Sequence, residues 1–517
     1  SKLRTLGMLP SQLFTDVEFL RRVSIYLTGT LPAPDEVKSF LADRRKAKRA
    51  RKIEELLKRS TYAAWWANKL CDFTGCSPTA ITTVLEVGQT MATQWYDWIY
   101  RRVADNVAYE KLVEGIVLSR GRGKKQSRDE YNAEMSAYVR RQSPTEFAKR
   151  STMPHYWTRR SVQESKDKAL AFAHSFLGIQ LQCAQCHKHP FDNWTQQNFR
   201  DFTRFFDDVR VRGGIVGFPA FAAARAGRTI GWPELLVNAT TKKKLNLLRS
   251  GPVTVEGDPR TAIMNWMRTK KNPWFAKAFV NRVWASYFHI GIVDTADALT
   301  PANPPSNPAL LRYLTQGFVQ NRYDMKWLHR EILNSETYQR SWKPNATNRN
   351  DRRNFSRMIP RRIPAEVVYD AIKQATAATD QQQQVRTNLK RRATGHLSMR
   401  MAGTYAMKVF GKPDRALNCD CERVNKPTLL QSVFLQNDPL VRMRLNESAW
   451  IEEISESKSS DPKTLIQLVW LRTVSRPPKD KEIERAKKHL RETKSLAEGI
   501  RDLLWAMMNT KEFLLNH

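Results

Sequence analysis

Apolar residues recur at helical spacing along most of the chain. Near the start, Thr15 and Glu18 form a capping box ahead of an apolar stripe that continues to Leu27. The clearest amphipathic segment of the second half is NPWFAKAFVNRVWASYF at 272–288. Patterns that alternate residue by residue, as strands do, are few. The sequence therefore predicts a mainly α protein.

The helical pattern breaks between 213 and 232, where Gly, Ala and Pro accompany short apolar runs. A chain of 517 residues is long enough to form two or more cores. We predict two helical domains, at 1–212 and 258–517. The segment 213–257 is then an irregular connector with room for a strand or two.

The densest candidate chemistry lies at 181–192, LQCAQCHKHPFD, after a helix predicted over 164–182. Cys183, Cys186 and His187 spell C-x-x-C-H, the spacing by which c-type haem is attached. Two thiols reach the two vinyl groups on one porphyrin edge, and the following imidazole ligates the iron. We expect one haem c. A zinc knuckle or a structural disulfide between Cys183 and Cys186 are the alternatives.

Other histidines bear on the same site. His189 follows His187 too closely to reach the opposite face of one haem, so it is expected to donate a hydrogen bond to a propionate or a ligand, or to cap a helix end. The sixth iron position is open to His174, His155, Met153 or water. A His or Met ligand favours electron transfer, whereas water leaves room for catalysis.

A second cysteine pair, Cys419 and Cys421, is spaced i, i+2. In an extended strand both thiols face one side, and a relaxed disulfide between them is disfavoured. They can instead pair with Cys71 and Cys76 or bind a metal. A competing hypothesis is that Cys419 and Cys421 converge with Cys183 and Cys186 on a four-thiolate zinc or iron site.

The net charge of the chain indicates a binding partner. Lys plus Arg outnumber Asp plus Glu by 86 to 51, which gives a net charge of +35. Such a field attracts an acidic protein, our first choice, or an anionic polymer. The basic residues are scattered through both halves without interleaved aromatics, which disfavours a nucleic-acid domain.

No apolar run approaches the length of a membrane helix. The polar opening SKLRTLG shows no signal peptide and decides nothing about export. The sequence also lacks a Gly-rich phosphate loop, H-E-x-x-H and G-x-S-x-G, so nothing supports a standard hydrolase or nucleotide enzyme.

Several phrases resemble known domains. The segments DVEFLRRVSIYLTGTLPAPDEVKSFLAD (16–43) and FLGIQLQCAQCHKHPFDNW (176–194) resemble the planctomycete cytochrome-type domain of large secreted proteins. The second half, including MKWLHREILNSETYQRS (325–341) and CDCERVNKPTLLQSVFLQND (419–438), resembles the domain of unknown function that regularly follows it. The resemblance implies secretion and haem association but no particular activity. It carries both cysteine pairs together, which favours a spatial relation between them.

Two departures accompany the resemblance. Lys188 stands where the family usually shows an acidic residue, so the local charge is reversed. The family also tends to have a Gly-Arg-Gly turn and paired acids where this chain reads HIGIVDTADAL, 289–299. The second acid of the pair has no clear match in this stretch, which weakens a carboxylate site there.

The sequence as a whole indicates an exported c-type haem protein in the periplasm or another extracytoplasmic compartment. We expect an electron carrier, or a haem subunit of a larger redox assembly, docked to an acidic partner. Two alternatives remain open. One is a zinc- or iron-thiolate structural protein that binds an anionic polymer. The other is a haem or metal enzyme acting on an extracellular carbohydrate.

Overall fold

Short helices joined by tight turns make up most of the amino-terminal part. A computed structural model of the protein describes residues 2–190, 192–400, 405–415, 423, 428–456 and 461–516. Its first eleven α-helices are α1 (Lys2–Thr5), α2 (Asp16–Thr28), α3 (Pro34–Ala42), α4 (Lys48–Leu57), α5 (Ser60–Thr74), α6 (Pro78–Ile81), α7 (Leu85–Ala104), α8 (Tyr109–Val117), α9 (Arg128–Ala137), α10 (Ser165–Phe172) and α11 (Gln196–Thr203).

The predicted connector contains strands. The strand β1 (Val209–Arg212) pairs antiparallel with β2 (Glu234–Val237), and α12 (Phe218–Arg225) lies between them in sequence. A hairpin of β3 (Thr240–Leu247) and β4 (Gly251–Gly257) follows. The expected β structure is therefore present in this segment, and its role as a connector between two domains stays a prediction.

The carboxyl-terminal part is again helical, and the predicted mainly α class is confirmed. Its elements are α13 (Pro259–Met267), α14 (Phe275–Phe288), α15 (Pro308–Gln320), α16 (Met325–Asn334), β5 (Arg361–Arg362), α17 (Ala365–Thr376), α18 (Gln382–Thr387), α19 (Tyr405–Val409), α20 (Leu429–Asn437), α21 (Pro439–Asn446), α22 (Ala449–Glu456), α23 (Pro462–Val474), α24 (Asp480–Glu492), α25 (Leu496–Met508), α26 (Lys511–Leu514) and β6 (Leu515–Asn516). The short strands β5 and β6 pair antiparallel.

Helix α2 shows how local sequence sets an element. The Thr15 hydroxyl accepts from the backbone N–H of Glu18, and the Glu18 carboxylate accepts from the backbone N–H of Thr15, so the predicted capping box is present. The helix ends at Gly29, which adopts a left-handed φ of 63°. A Cβ at Gly29 would lie 3.0 Å from the Trp65 ring. Both the left-handed φ and this close approach therefore favour glycine at position 29.

The helix expected over 164–182 is shorter than predicted. Helix α10 ends at Phe172, a π-helical turn covers Ala173–Leu177, and Gly178 reverses the chain with a φ of 62°. A Cβ on Gly178 would lie 3.0 Å from the Cβ of Ala278 in α14. The tertiary approach of α14 to a glycine therefore ends a helix whose apolar pattern continues further.

Buried polar contacts cross between the two predicted domains. Arg21 of α2 donates to the carbonyl oxygens of Thr473 and Phe513, at 3.0 and 2.9 Å. Asp72 of α5 accepts from Arg415 at 2.7 Å and from Arg423 at 2.8 Å. One continuous apolar core also takes residues from both regions. The domain boundaries at 212 and 258 stay predictions, since these contacts link the two sides closely.

Within the described ranges, no helix is both long and apolar enough to cross a membrane.

Glu36 of α3 forms an ion pair with Arg386 of α18, and its pKa predicts a stability that depends on pH. Burial raises the pKa of Glu36, but the charges and hydrogen bonds of Arg59, Arg386 and Lys52 outweigh it and hold the pKa at about 2, against an ordinary 4.5. The ionised form is therefore favoured in the folded state, and its contribution is present above pH 4.5 and lost as the pH falls towards 2. We expect Glu36→Gln to lower the free energy of unfolding by up to about 3 kcal/mol at pH 7.

Denaturant unfolding of both proteins at pH 7, 5 and 3 checks this, and the difference should shrink at pH 3. The exposed Glu492→Gln is the matched control and should change the stability by less than about 0.5 kcal/mol at each pH. A Glu36→Gln deficit that does not depend on pH would contradict the assignment.

Candidate functional site

The C-x-x-C-H motif lies at the surface. Cys183 falls in a 3₁₀ helix, Gln182–Gln185, and Cys186 follows it directly. Both thiols are free and exposed. The exposed His187 ring places Nδ1 2.7 Å from the carbonyl oxygen of Lys188, so in the neutral ring Nδ1 carries the proton and Nε2 has the free lone pair. Two accessible thiols and one available imidazole nitrogen are a donor set that fits covalent haem attachment.

An ion pair anchors the loop after the motif. Arg249, in the turn between β3 and β4, donates to Asp192 at 2.7 Å, and the Asp192 side chain is only 1% exposed. The Arg249 guanidinium also lies 4.7 Å from the Trp194 ring centroid. His189 is buried, and its backbone N–H donates to the carbonyl of Trp194 at 2.8 Å. The loop is thus held by a distant arginine that the motif alone does not reveal.

The aromatic residues after the motif form core. The rings of Phe202 and Phe206 lie 5.7 Å apart, and both contact Phe172 of α10. Trp194 packs against Trp274 at 5.6 Å. The interpretation as ordinary core is confirmed, and a wall against a porphyrin stays a prediction.

The other cysteines lie in different surroundings. Cys71 and Cys76 are buried and free, and Cys76 Sγ lies 3.8 Å from Met399 Sδ. Burial, with the neighbouring Cys76, raises the pKa of the Cys71 thiol. Cys419 and Cys421 lie outside the described residues, so their pairing and the four-thiolate site stay predictions. The described part of the chain contains no cluster of three or more His, Cys, Asp or Glu residues arranged for a metal ion.

A polar cavity of about 530 Å³ lies where α2, α5 and the π-helical turn meet α14 and β5. The described residues of its wall include Lys69, His174, Gln180, Arg282, Asp297 and Arg361. Gln180 precedes Cys183 by three residues, and Arg423, also in the wall, follows Cys421 by two. Cys183, Cys186 and His187 do not line the cavity. The cavity therefore adjoins the motif along the chain but is a separate space.

His174 is the buried imidazole of this cavity. The residue is 9% exposed, and its Nε2 has no hydrogen-bond partner within the described residues. The nearest carboxylate oxygen, Oδ2 of Asp297, is 4.0 Å away, too far for a direct hydrogen bond. Burial lowers the pKa of His174, Asp297 raises it and Arg282 lowers it, with a net downward shift. The lowered pKa favours the neutral imidazole.

Arg282 holds the π-helical turn in place. Its guanidinium donates to Asp297 and to the carbonyl oxygens of His174 and Ser175. Carbonyl groups at the end of a helix lack intrahelical donors, so an arginine fork satisfies them. Because Asp297 is bound by the same guanidinium, one residue positions both the imidazole and the carboxylate of the cavity.

The remaining candidate ligands are placed as follows. His155 is buried, with Nε2 3.0 Å from Gln94 Oε1, and burial lowers its pKa to about 3. Met153 is fully buried. The sequence motifs did not predict the roles of Arg249, Lys69 and Arg361, because these residues lie in segments that contain no recognisable motif. The stretch 289–299, which the resemblance marked for paired acids, does supply Asp294 and Asp297 to the cavity wall.

The fold and site define a mainly α protein with an exposed C-x-x-C-H motif and, close to it along the chain, a cavity with several charged residues in its wall. Residues 1–211 match the family model PSCyt2, described as a protein of unknown function (DUF1549). Residues 259–490 match PSD1, described as a protein of unknown function (DUF1553). The two matches are a planctomycete-type pair of domains. Neither description names an activity or shows a C-x-x-C-H cytochrome domain. Searches of curated proteins and of solved structures found no significant match.

The exposure of the cysteines predicts their reactivity. In the full chain without haem, Cys183 and Cys186 should be alkylated by iodoacetamide on the order of a hundredfold faster than Cys71 and Cys76, because only the first two meet solvent. Peptide mass spectrometry after timed labelling at pH 8 measures each site. Labelling in denaturant is the control and should remove the difference. Equal alkylation rates of all four cysteines in the native protein would contradict the burial of Cys71 and Cys76.

Proposed function

We propose that this protein carries one haem c, bound through Cys183 and Cys186, and that it transfers electrons as a carrier or as a subunit of a redox assembly. The observation that supports this most is the donor set at the surface. Both thiols are exposed, and the hydrogen bond to Lys188 leaves Nε2 of His187 available.

Each residue has a distinct role in this proposal. Cys183 and Cys186 form the two thioether bonds, and His187 ligates the iron through Nε2. The bound haem supplies one-electron transfer. Asp192 and Arg249 fix the loop that follows the histidine, which limits motion of the ring. His189, buried in that loop, is proposed to support the same site.

The structure leaves fewer candidates for the sixth ligand of the haem iron than the sequence did. His155 already lies within hydrogen-bond distance of Gln94 in the interior, which disfavours it. His174, Met153 and water remain candidates. Because c-type haem is attached outside the cytoplasm, the proposal implies a periplasmic or other extracytoplasmic location. A zinc-bound motif without haem is the alternative outcome.

An acidic partner is the proposed redox contact. Lys188 is exposed beside the motif, Arg200 is exposed on α11, and Lys242 and Lys244 are exposed on β3. The 3₁₀ helix of the motif and β3 both pack against α11, so these cations lie on the motif loop, on the helix next to it and on the strand beyond that helix. Positive charge around an electron-transfer site steers an acidic protein to it and weakens as salt screens the field.

The haem proposal predicts a mass and a spectrum. Native protein made where c-type haem is attached should exceed the sequence mass by one haem and give a c-type pyridine haemochrome. The double variant Cys183→Ala/Cys186→Ala should lose the covalent haem, whereas His187→Ala should keep it but shift the Soret band, because an axial ligand dominates the iron's electronic state.

The matched control is Cys71→Ala/Cys76→Ala, which removes two thiols from the core and should retain the haem. The bare sequence mass together with bound zinc, found by elemental analysis, would reject the proposal.

The partner proposal predicts a local charge effect. Wild-type protein on a resin should retain an acidic protein from native extract at about 50 mM salt and release it at about 500 mM, where screening is strong. The charge reversal Lys242→Glu/Lys244→Glu should abolish retention. Arg352→Glu/Arg353→Glu changes the net charge equally at another exposed segment and should retain the partner. Equal loss in both variants would contradict docking at β3.

A further inference from the structure

The cavity beside the π-helical turn contains a hydrogen-bonding group that has no partner among the described residues. Nε2 of His174 is buried, and no described residue satisfies it. An unsatisfied buried nitrogen costs free energy, so such a group in a cavity points to a bound molecule. Arg282 holds the surrounding backbone rigidly, through the carbonyls of His174 and Ser175, which preorganises the imidazole.

The spacing of His174 and Asp297 fits a hydroxyl group. Nε2 and Oδ2 are 4.0 Å apart, and one oxygen atom can lie within hydrogen-bond distance of both. A hydroxyl both donates and accepts, so it can donate to the Asp297 carboxylate while it accepts from the Nε2–H of the neutral imidazole. A carboxylate could accept only one of these bonds and would be repelled by Asp297.

Besides the position between His174 and Asp297, the charge of the cavity wall favours an anionic group near Arg361. Among the described residues of its wall, five side chains are cationic, and the carboxylates are those of Asp294 and Asp297. Asp297 is bound to Arg282, and Arg423 is paired with Asp72 and Glu366. Arg361 instead donates to two neutral oxygens, of Tyr26 and Ser286. Arg361 is therefore a cation that no described carboxylate neutralises, at the wall of a concave site.

We propose that this cavity binds a small hydroxylated carboxylate, with its carboxylate at Arg361 and a hydroxyl group between His174 and Asp297. The volume of about 530 Å³ lies in the range of small-molecule sites. The site is separate from the proposed haem attachment, because neither thiol of the motif nor His187 lines it.

Three six-carbon probes test the two groups separately. Isothermal titration of the full chain with D-gluconate should show binding, and hexanoate, which lacks the hydroxyls, should bind about tenfold or more weakly. Sorbitol, which lacks the charge, should also bind about tenfold or more weakly. The same titration of Cys183→Ala/Cys186→Ala should be unchanged, so failure of the haem proposal does not affect the result.

Variants assign the contacts. Arg361→Gln should weaken gluconate binding about tenfold and leave sorbitol unaffected, whereas Arg491→Gln, at an exposed position on α24, should change neither. His174→Phe should weaken both ligands, and His174→Gln, which keeps a hydrogen-bonding group, should weaken them less. Circular dichroism and thermal unfolding establish that each variant is folded.

Three results would overturn the proposal. One is a gluconate affinity no greater than those of sorbitol and hexanoate. The second is an equal loss in Arg361→Gln and Arg491→Gln, which would indicate attraction by net charge alone. The third is a shifted Soret band in haem-loaded His174→Gln, which would assign His174 to the iron.

Discussion

Buried arginines that donate to backbone carbonyl groups hold distant helices of this protein together. Arg22 of α2 donates to the carbonyls of Tyr338 and Arg340, at 3.0 and 3.1 Å. Arg472 of α23 donates to the carbonyl of Ala377 at 2.7 Å, and Arg282 does the same for the π-helical turn. A guanidinium offers five donors in a fixed fork, so one side chain can satisfy several carbonyls that helix ends leave unpaired.

Because many arginines are buried, the net charge overstates how basic the surface is. The value of +35 predicts a strongly basic surface, but part of the excess lies in the interior. The side chains of Arg22, Arg260, Arg392 and Arg415 are among the largest that are fully buried. Interior guanidiniums keep the chain folded and cannot meet a partner. The docking proposal therefore depends on exposed cations of the neighbouring elements, such as Lys242 and Lys244 of β3, and not on the total charge.

One short segment serves both proposed sites. The π-helical turn places His174 in the cavity, Gly178 turns the chain against α14, and the residues from Gln180 onward lead to the thiols. The segment is held from the α14 side by Arg282 and from the β3–β4 turn by Arg249. Both sites need a rigid segment, and the two arginines supply it.

The sequence by itself determined what depends on neighbours a few residues apart. The capping box of α2, the mainly α class and the spacing of Cys183, Cys186 and His187 follow from local hydrogen bonds, period and spacing. Only the tertiary structure decided where the helix before the motif ends and which side chains surround His174. Those outcomes depend on Ala278, Arg282 and Asp297, about a hundred residues away, and contacts across such distances leave no periodic signal in the chain.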